Sequence, residues 1–175
     1  MGRIEAIVMR FHTPFNGYAV KFSPYEWGGS GGRATCRVAV ATAQNFGIIG
    51  NGRQHVLEMR EGQGIEEIGS FETADGLYDC SWSEYHRDVL VSASGDGSIK
   101  IWNVSLPPHM NPLRSFHDHK HEVYSVACNF NQNRSLFLSA SWDDTIKLWD
   151  TEQKMPGSIS TYHEHRQGIL PLSLF

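Results

Sequence analysis

Val89–Asn103 reads VLVSASGDGSIKIWN, and Leu136–Asp150 reads LFLSASWDDTIKLWD. The second copy starts 47 residues after the first, at 136 against 89, so the chain contains an internal repeat. Each copy opens with an apolar run, passes through Ser-Ala-Ser and a tight acidic turn, and resumes an alternation that ends in Trp102 or Trp149. Apolar side chains two apart, such as Ile99 with Ile101 and Ile146 with Leu148, line one face of a strand. Two such runs joined by Gly95-Asp96-Gly97 or Trp142-Asp143-Asp144 predict a β-hairpin.

Working outward, each hairpin gains a strand on either side. The second repeat reads Leu77–Trp82, Asp88–Ser94, Ser98–Val104 and, after Pro107-Pro108, Leu113–Phe116. The third reads Val123–Cys128, Leu136–Ser141, Thr145–Trp149 and, after Met155-Pro156-Gly157, Ser158–Tyr162. A degenerate first repeat precedes them: Tyr18–Phe22, Val38–Thr42, a long loop over Gln44–Gly52 containing GIIGNG, Gln54–Met59 and Ile65–Phe71. It ends in Glu58-Met59 where the others have Trp102-Asn103 and Trp149-Asp150. Aligning the first strands puts Tyr18, Tyr78 and Tyr124 in one column and Phe22, Trp82 and Cys128 in another. No helical period is sustained along the chain. The closing Trp149-Asp150 pair resembles the signature of WD repeats. The fold class expected is all-β: a partial WD-repeat β-propeller of about three four-stranded blades, with a flanking outer strand and a tail. The blades are placed at about 17–71, 76–117 and 122–162, with a divergent tail over 163–175. Ile7-Val8-Met9 is the flanking outer strand in this reading.

Composition narrows the function classes. The formal charge of −4 provides no basic footprint for nucleic acid. No apolar run reaches the roughly 20 residues of a membrane span, and MGRIEAIVMRF lacks the pattern of a secretory leader. Cys36, Cys80 and Cys128 are an odd number without metal-ligand spacing, which fits reduced thiols in a cytosolic or nuclear setting. The Gly28–Gly32 run lacks the Gly-Lys-Ser/Thr of a phosphate cradle and reads as a surface hairpin loop. His117, His119 and His121, with His163 and His165, lack partner cysteines at ligand spacing and fall in equivalent loops of successive repeats, so no metal and no cofactor is called for.

WD blades contain a buried relay from Asp to His, to a Ser hydroxyl, to the indole N–H. In the third repeat the resemblance assigns it to Asp143, His119, Ser141 and Trp149. The second has Ser94, Asp96 and Trp102, but Thr73-Ala74 stands where the His would be. The first keeps only Asn45 in the turn. A buried indole N–H and a turn carboxylate both need partners, so the repeat accounts for Ser, His and Asp without a hydrolytic triad, and no Gly-x-Ser-x-Gly elbow is present.

TPFNGYAVKFSP, RVAVATAQNFGIIGNGRQHVLEM, TADGLYDCSWSE, SASGDGSIKIW and HEVYSV with LSASWDDTIKLWD together resemble the peroxin-7 family, receptors for the type 2 peroxisomal targeting signal, from about Phe11 to His165. The resemblance implies a non-enzymatic receptor that captures an N-terminal nonapeptide of cargo proteins, Arg-Leu-x5-His-Leu, presented as an amphipathic helix. It also implies a co-receptor of the peroxin-5 type and shuttling between cytoplasm and peroxisome matrix, with no nucleic acid and no membrane insertion. The candidate peptide-binding residues are Tyr18, Asp75, Tyr78, Glu122, Tyr124 and Trp142, at positions that reach the top face of a propeller. The aromatic rings would pack on the apolar side of the peptide, and Asp75 and Glu122 would pair with its Arg. Asp79 is a weaker candidate.

The departure from the family is at the end. After Glu164-His165 a further inner strand is expected, but the chain reads Arg166–Phe175, with Pro171 inside that stretch. The reading is a truncated form with impaired cargo capture. The alternatives are a generic WD-repeat interaction scaffold or a non-functional splice fragment.

Overall fold

The duplicated stretch supplies the two middle strands of two neighbouring antiparallel sheets. The computed structural model describes residues 10–28, 34–60, 62–130 and 134–163. The first sheet comprises β1 (Asn16–Phe22), β2 (Trp27–Gly28), β3 (Ala34–Ala43), β4 (Gly52–Arg60) and β5 (Gly64–Thr73). The second comprises β6 (Leu77–Trp82), β7 (Val89–Ser94), β8 (Ile99–Asn103) and β9 (Arg114–Phe116). The third comprises β10 (Val123–Cys128), β11 (Leu136–Ser141), β12 (Ile146–Asp150) and β13 (Ser160–Tyr162). The strands run in order β6-β7-β8-β9 and β10-β11-β12-β13, and the first sheet runs β1-β3-β4-β5 with β2 paired to β3. The described residues therefore form the all-β partial propeller expected, with three sheets as successive blades.

The repeat extends to register. Val89 faces Asn103 and Ala93 faces Ile99, and their counterparts Leu136 and Ala140 face Asp150 and Ile146. A hairpin register is fixed when one face of the pair must be buried, and here the same apolar spacing fixes it twice.

The blades stack face to face through two cores. Between the first and second lie Ala39, Ala41, Val56, Phe71, Leu90 and Trp102. Between the second and third lie Val91, Ile99, Ile101, Phe116, Phe137 and Trp149. The closing Trp of the second and third blades stacks on a Phe from the outermost strand of the preceding blade: Trp102 on Phe71 and Trp149 on Phe116, each at 5.2 Å between centroids. The middle blade is covered on both sides, and all six residues of β7 are buried. On the far side of the first blade, Val38, Val40 and Leu57 are covered in part by Phe11, Met59 and Ile65.

Three local features differ from the sequence expectation. The first blade has a fifth strand, β2, because β3 starts at Ala34, beyond the end of its partner β1, and Trp27–Gly28 fills that edge. Trp27 has its indole between Arg37 and Arg87, whose guanidinium carbons lie 3.5 and 4.1 Å from the ring centroid. The outermost strands β9 and β13 are only three residues long, shorter than Leu113–Phe116 and Ser158–Tyr162. The Gln44–Gly52 connection is tighter than a long open loop. It contains a 3-10 turn over Gln44–Gly47, with Asn45, Phe46 and Gly47 all at positive φ. The Ile7-Val8-Met9 strand, most of the Gly28–Gly32 run and the tail from Glu164 to Phe175 lie outside the described residues.

Candidate functional site

The innermost strand of each blade is bulged at the same place. Register jumps between Gly17 and Ala19 in β1, between Leu77 and Asp79 in β6, and between Val123 and Ser125 in β10. The residues passed over are Tyr18, Tyr78 and Tyr124. A bulge leaves one residue outside the ladder and re-aims its side chain, so each blade sends one tyrosine to the same rim. There the rings meet. Tyr18 and Tyr78 are 5.3 Å apart between centroids, Tyr78 and Tyr124 stack at 4.7 Å with planes 3° apart, and Tyr124 stacks on Trp142 at 4.6 Å. The result is a four-ring ladder crossing all three blades. Its ends are open, with Tyr18 41% and Trp142 51% exposed, while Tyr78 at its centre is 9% exposed.

Asp75 lies two residues before β6, and Glu122 lies one residue before β10. Asp75 Oδ1 accepts the Gly76 N–H at 2.7 Å, and the Glu122 carbonyl accepts the Trp142 N–H at 3.1 Å, which fixes the indole-bearing turn against the ladder. Both side chains are partly exposed. Burial first, then Tyr124, the Asp75 carboxylate, Tyr18 and the Glu122 carboxylate, push the Tyr78 hydroxyl up to about 12. Burial and then Glu122 raise Tyr124 as well. The rim therefore presents aromatic faces beside two carboxylates, a surface suited to a ligand with an apolar side and a cation.

The Tyr78 hydroxyl donates to the Gly47 carbonyl at 2.7 Å, which ties the ladder to the Gln44–Gly50 loop. A Cβ on Gly47, at φ +74, would lie 2.7 Å from Tyr78 Cε1 and 2.9 Å from the Tyr18 hydroxyl, so only glycine fits both the conformation and the contact. Asp79 lies away from the rim. Its carboxylate points into the junction between β6 and β10, where Oδ2 accepts from Ser125 Oγ at 3.0 Å and the Val126 N–H at 3.1 Å.

The relay in the third blade corrects the sequence assignment at one residue. His119 Nδ1 is 2.9 Å from Asp143 Oδ2, and His119 Nε2 is 2.7 Å from Oγ of Ser139, not Ser141. The Trp149 indole N–H donates to the same Ser139 oxygen at 2.8 Å. Ser139 and Ser141 share a strand face, so side-chain parity does not separate them. Reach does: Trp149 pairs with Phe137, and its ring extends diagonally to the residue two along. Ser141 instead closes the turn, accepting the Asp143 N–H and donating to the His121 carbonyl. The second blade repeats the correction. Trp102 donates to Ser92 at 2.8 Å, not to Ser94, whose buried Oγ has no partner.

One tautomer satisfies every donor of this relay: indole N–H to Ser139, Ser139 O–H to Nε2, and Nδ1–H to Asp143. Burial holds the His119 pKa below its ordinary value despite Asp143, so the ring is neutral near pH 7. Burial also opposes ionisation of Asp143. Hydrogen bonds from Thr145, the Lys120 N–H and His119 outweigh it and hold the carboxyl at about 2. The Asp-His-Ser order is that of a hydrolytic triad. Yet Ser139 is fully buried and its oxygen accepts the indole N–H, so no substrate carbonyl reaches it.

In the second blade the missing His is replaced by a residue that sequence reasoning passed over. Gln54, on β4 of the first blade, accepts the Ser92 hydroxyl at 2.7 Å. The relay there crosses between blades, and a within-repeat comparison carries no signal for it. Asp96 turns away to Ser98 and Lys100. Burial opposes its ionisation, but those two partners hold it at about 2. These contacts rank three serine substitutions. Ser139→Ala orphans an indole N–H and an imidazole and costs about 2–3 kcal/mol. Ser141→Ala loses turn contacts worth about 1 kcal/mol, and Ser94→Ala costs less than about 0.5 kcal/mol because its hydroxyl bonds nothing. Urea unfolding of the three variants checks the order, and equal losses at Ser139 and Ser141 would contradict the relay.

Comparison with known proteins adds an independent line. The family model described as "WD domain, G-beta repeat" matches residues 66–103 and 110–150. Peroxisome biogenesis protein 7 of Arabidopsis thaliana is 53% identical over 150 residues, covering 85% of this chain and 44% of that relative. The peroxisomal targeting signal 2 receptor of Dictyostelium discoideum is 47% identical over 141 residues, covering 81% of this chain and 42% of the relative. The human protein of the same name is 39% identical over 154 residues, covering 88% and 44%. The chain thus spans less than half the length of these relatives.

Proposed function

The chain belongs to the WD-repeat proteins and is a relative of the peroxisomal targeting signal 2 receptors, and from that premise we propose that it takes part in peroxisomal import by binding the targeting peptide of cargo proteins on its aromatic rim. The observation that carries this reading is the continuous ladder from Tyr18 to Trp142 with Asp75 and Glu122 beside it. An amphipathic helix has an apolar stripe that suits stacked ring faces, and its flanking Arg suits the two carboxylates. The rings are held by bulges and by each other, so little conformational entropy is lost on binding. In this reading Tyr78 and Tyr124 form the floor, Trp142 and Tyr18 the open ends, and Asp75 and Glu122 the cation site. The same reading includes a co-receptor of the peroxin-5 type and movement between cytoplasm and peroxisome matrix.

The test is a fluorescence anisotropy titration with a labelled peptide of the form Arg-Leu-x5-His-Leu. Asp75→Lys with Glu122→Lys replaces attraction by repulsion and weakens capture by about 100-fold or more, in line with a loss of about 3 kcal/mol at a desolvated charge pair. Unchanged affinity in the double variant removes the peptide reading and leaves an interaction scaffold for a different partner.

A further inference from the structure

The Gln44–Gly50 loop presents three large apolar side chains to solvent in one short stretch: Phe46 is 74% exposed, Ile48 85% and Ile49 72%. A flexible loop would fold such side chains back onto the protein, because each buried aliphatic or aromatic group contributes roughly 1.5–3 kcal/mol. This loop cannot fold back, because it is held from several sides. The Gln44 N–H donates to the Asn51 carbonyl, and Gln44 Oε1 accepts the Asn51 N–H, both at 2.9 Å. Asn45 Nδ2 donates to the Ile49 carbonyl at 3.1 Å, and Asn16 Oδ1 accepts the Phe46 N–H at 3.4 Å. Asn45 and Phe46 are non-glycine residues at φ 47 and 57, a region of steric cost, and the surrounding bonds keep them there.

The position of the loop matters as much as its rigidity. The Gly47 carbonyl is the acceptor for Tyr78, and Gly47 lies against both Tyr78 and Tyr18. The exposed Phe46 and Ile48 flank that glycine, so the apolar loop borders the ladder along the hydroxyl edges of Tyr18 and Tyr78. A cluster of exposed apolar side chains rimmed by polar groups marks an interaction site.

We infer that the Gln44–Gly50 loop is a rigid apolar wall along the Tyr18 and Tyr78 rungs of the ladder, and that Phe46, Ile48 and Ile49 select large aliphatic side chains on the apolar face of the bound amphipathic peptide. This rests on the peptide-binding reading above and adds a specificity element to it. The ladder binds by stacking, which tolerates many side chains. The wall distinguishes leucine from alanine, because the larger side chain buries more apolar area against it.

The test uses the 175-residue chain and two fluorescein-labelled amphipathic peptides. One has a single Arg and two leucines on one helical face, and the other has both leucines replaced by alanine. Phe46→Ser, Ile48→Ser and Ile49→Ser are combined in one variant. Trp142→Ala, at the opposite end of the ladder, serves as the comparison, and Ile49→Ser alone repeats the measurement with a single exposed change. The loop variant binds the leucine peptide about tenfold or more weakly and binds the alanine peptide as the parent does, whereas Trp142→Ala weakens both. If the loop variant keeps the parent's affinity for the leucine peptide, or loses affinity equally for both peptides, the wall is overturned while the ladder reading stands. If the parent chain captures neither peptide, the ladder reading fails and the wall fails with it.

Discussion

Trp102→Ala is expected to lower the stability of the chain by about 3–5 kcal/mol. The indole is 1% exposed and fills the junction of the first two blades, stacked on Phe71 and surrounded by Ala39, Ala41 and Val56. Two losses combine. The first is the transfer of a large ring out of water together with the cavity it leaves, which cannot collapse because both walls are paired sheets. The second is polar: Ser92 loses the indole donor and is left buried with Gln54 alone. Domains of this size have roughly 5–15 kcal/mol in all, so the substitution consumes a large fraction. Urea unfolding followed by circular dichroism measures it. Trp102→Phe keeps the stacking and forfeits the hydrogen bond, so it should recover more than half of the loss. A cost below about 1 kcal/mol for the alanine variant would mean that the two blades do not pack as described.

The second large effect is expected at Asp79, where alanine should cost about 3 kcal/mol. One carboxylate ties the inner strands of three blades together. It accepts from Ser125 Oγ and the Val126 N–H on β10, accepts the Cys80 N–H of its own strand at 2.9 Å, and lies 3.7 Å from Lys21 Nζ on β1. These strands have no backbone ladder with one another, so the carboxylate satisfies a Val126 N–H that would otherwise be buried and unpaired. Asp79→Asn retains one acceptor oxygen and should cost about half as much. The consequence reaches the rim. Tyr78 precedes Asp79 and Tyr124 precedes Ser125, so loosening this clamp shifts two rungs of the ladder. The near-ultraviolet dichroism of the stacked tyrosines is expected to fall along with stability. An Asp79→Ala variant as stable as the parent would remove the clamp from this account.

The two predictions concern different parts of one design. Trp102 holds blades together through apolar area, and Asp79 holds them through a shared acceptor near the axis. Stability and the aromatic rim are coupled at the second and much less at the first.

The fold was legible in the repeated stretch because strand alternation and hairpin register are local properties. Val89–Asn103 and Leu136–Asp150 have apolar residues at the same offsets, and those offsets alone fix which side chains point inward. The column of Tyr18, Tyr78 and Tyr124 was also visible in the sequence, since equivalent strands place equivalent residues. Their place as rungs of one ladder was not visible, because it depends on three bulges and on inter-blade packing that brings the rings to 4.7–5.3 Å between centroids. The choice of Ser139 over Ser141 and of Ser92 over Ser94 turned on how far an indole reaches across a strand pair. Gln54 entered the second relay from a neighbouring blade, where no comparison of repeats would look. What the sequence determined by itself was therefore the periodicity: the number of sheets, their order and their inward faces. What only the tertiary structure decided was every contact made between blades, since sequence spacing measures distance along a strand and holds no information about the distance from one sheet to the next.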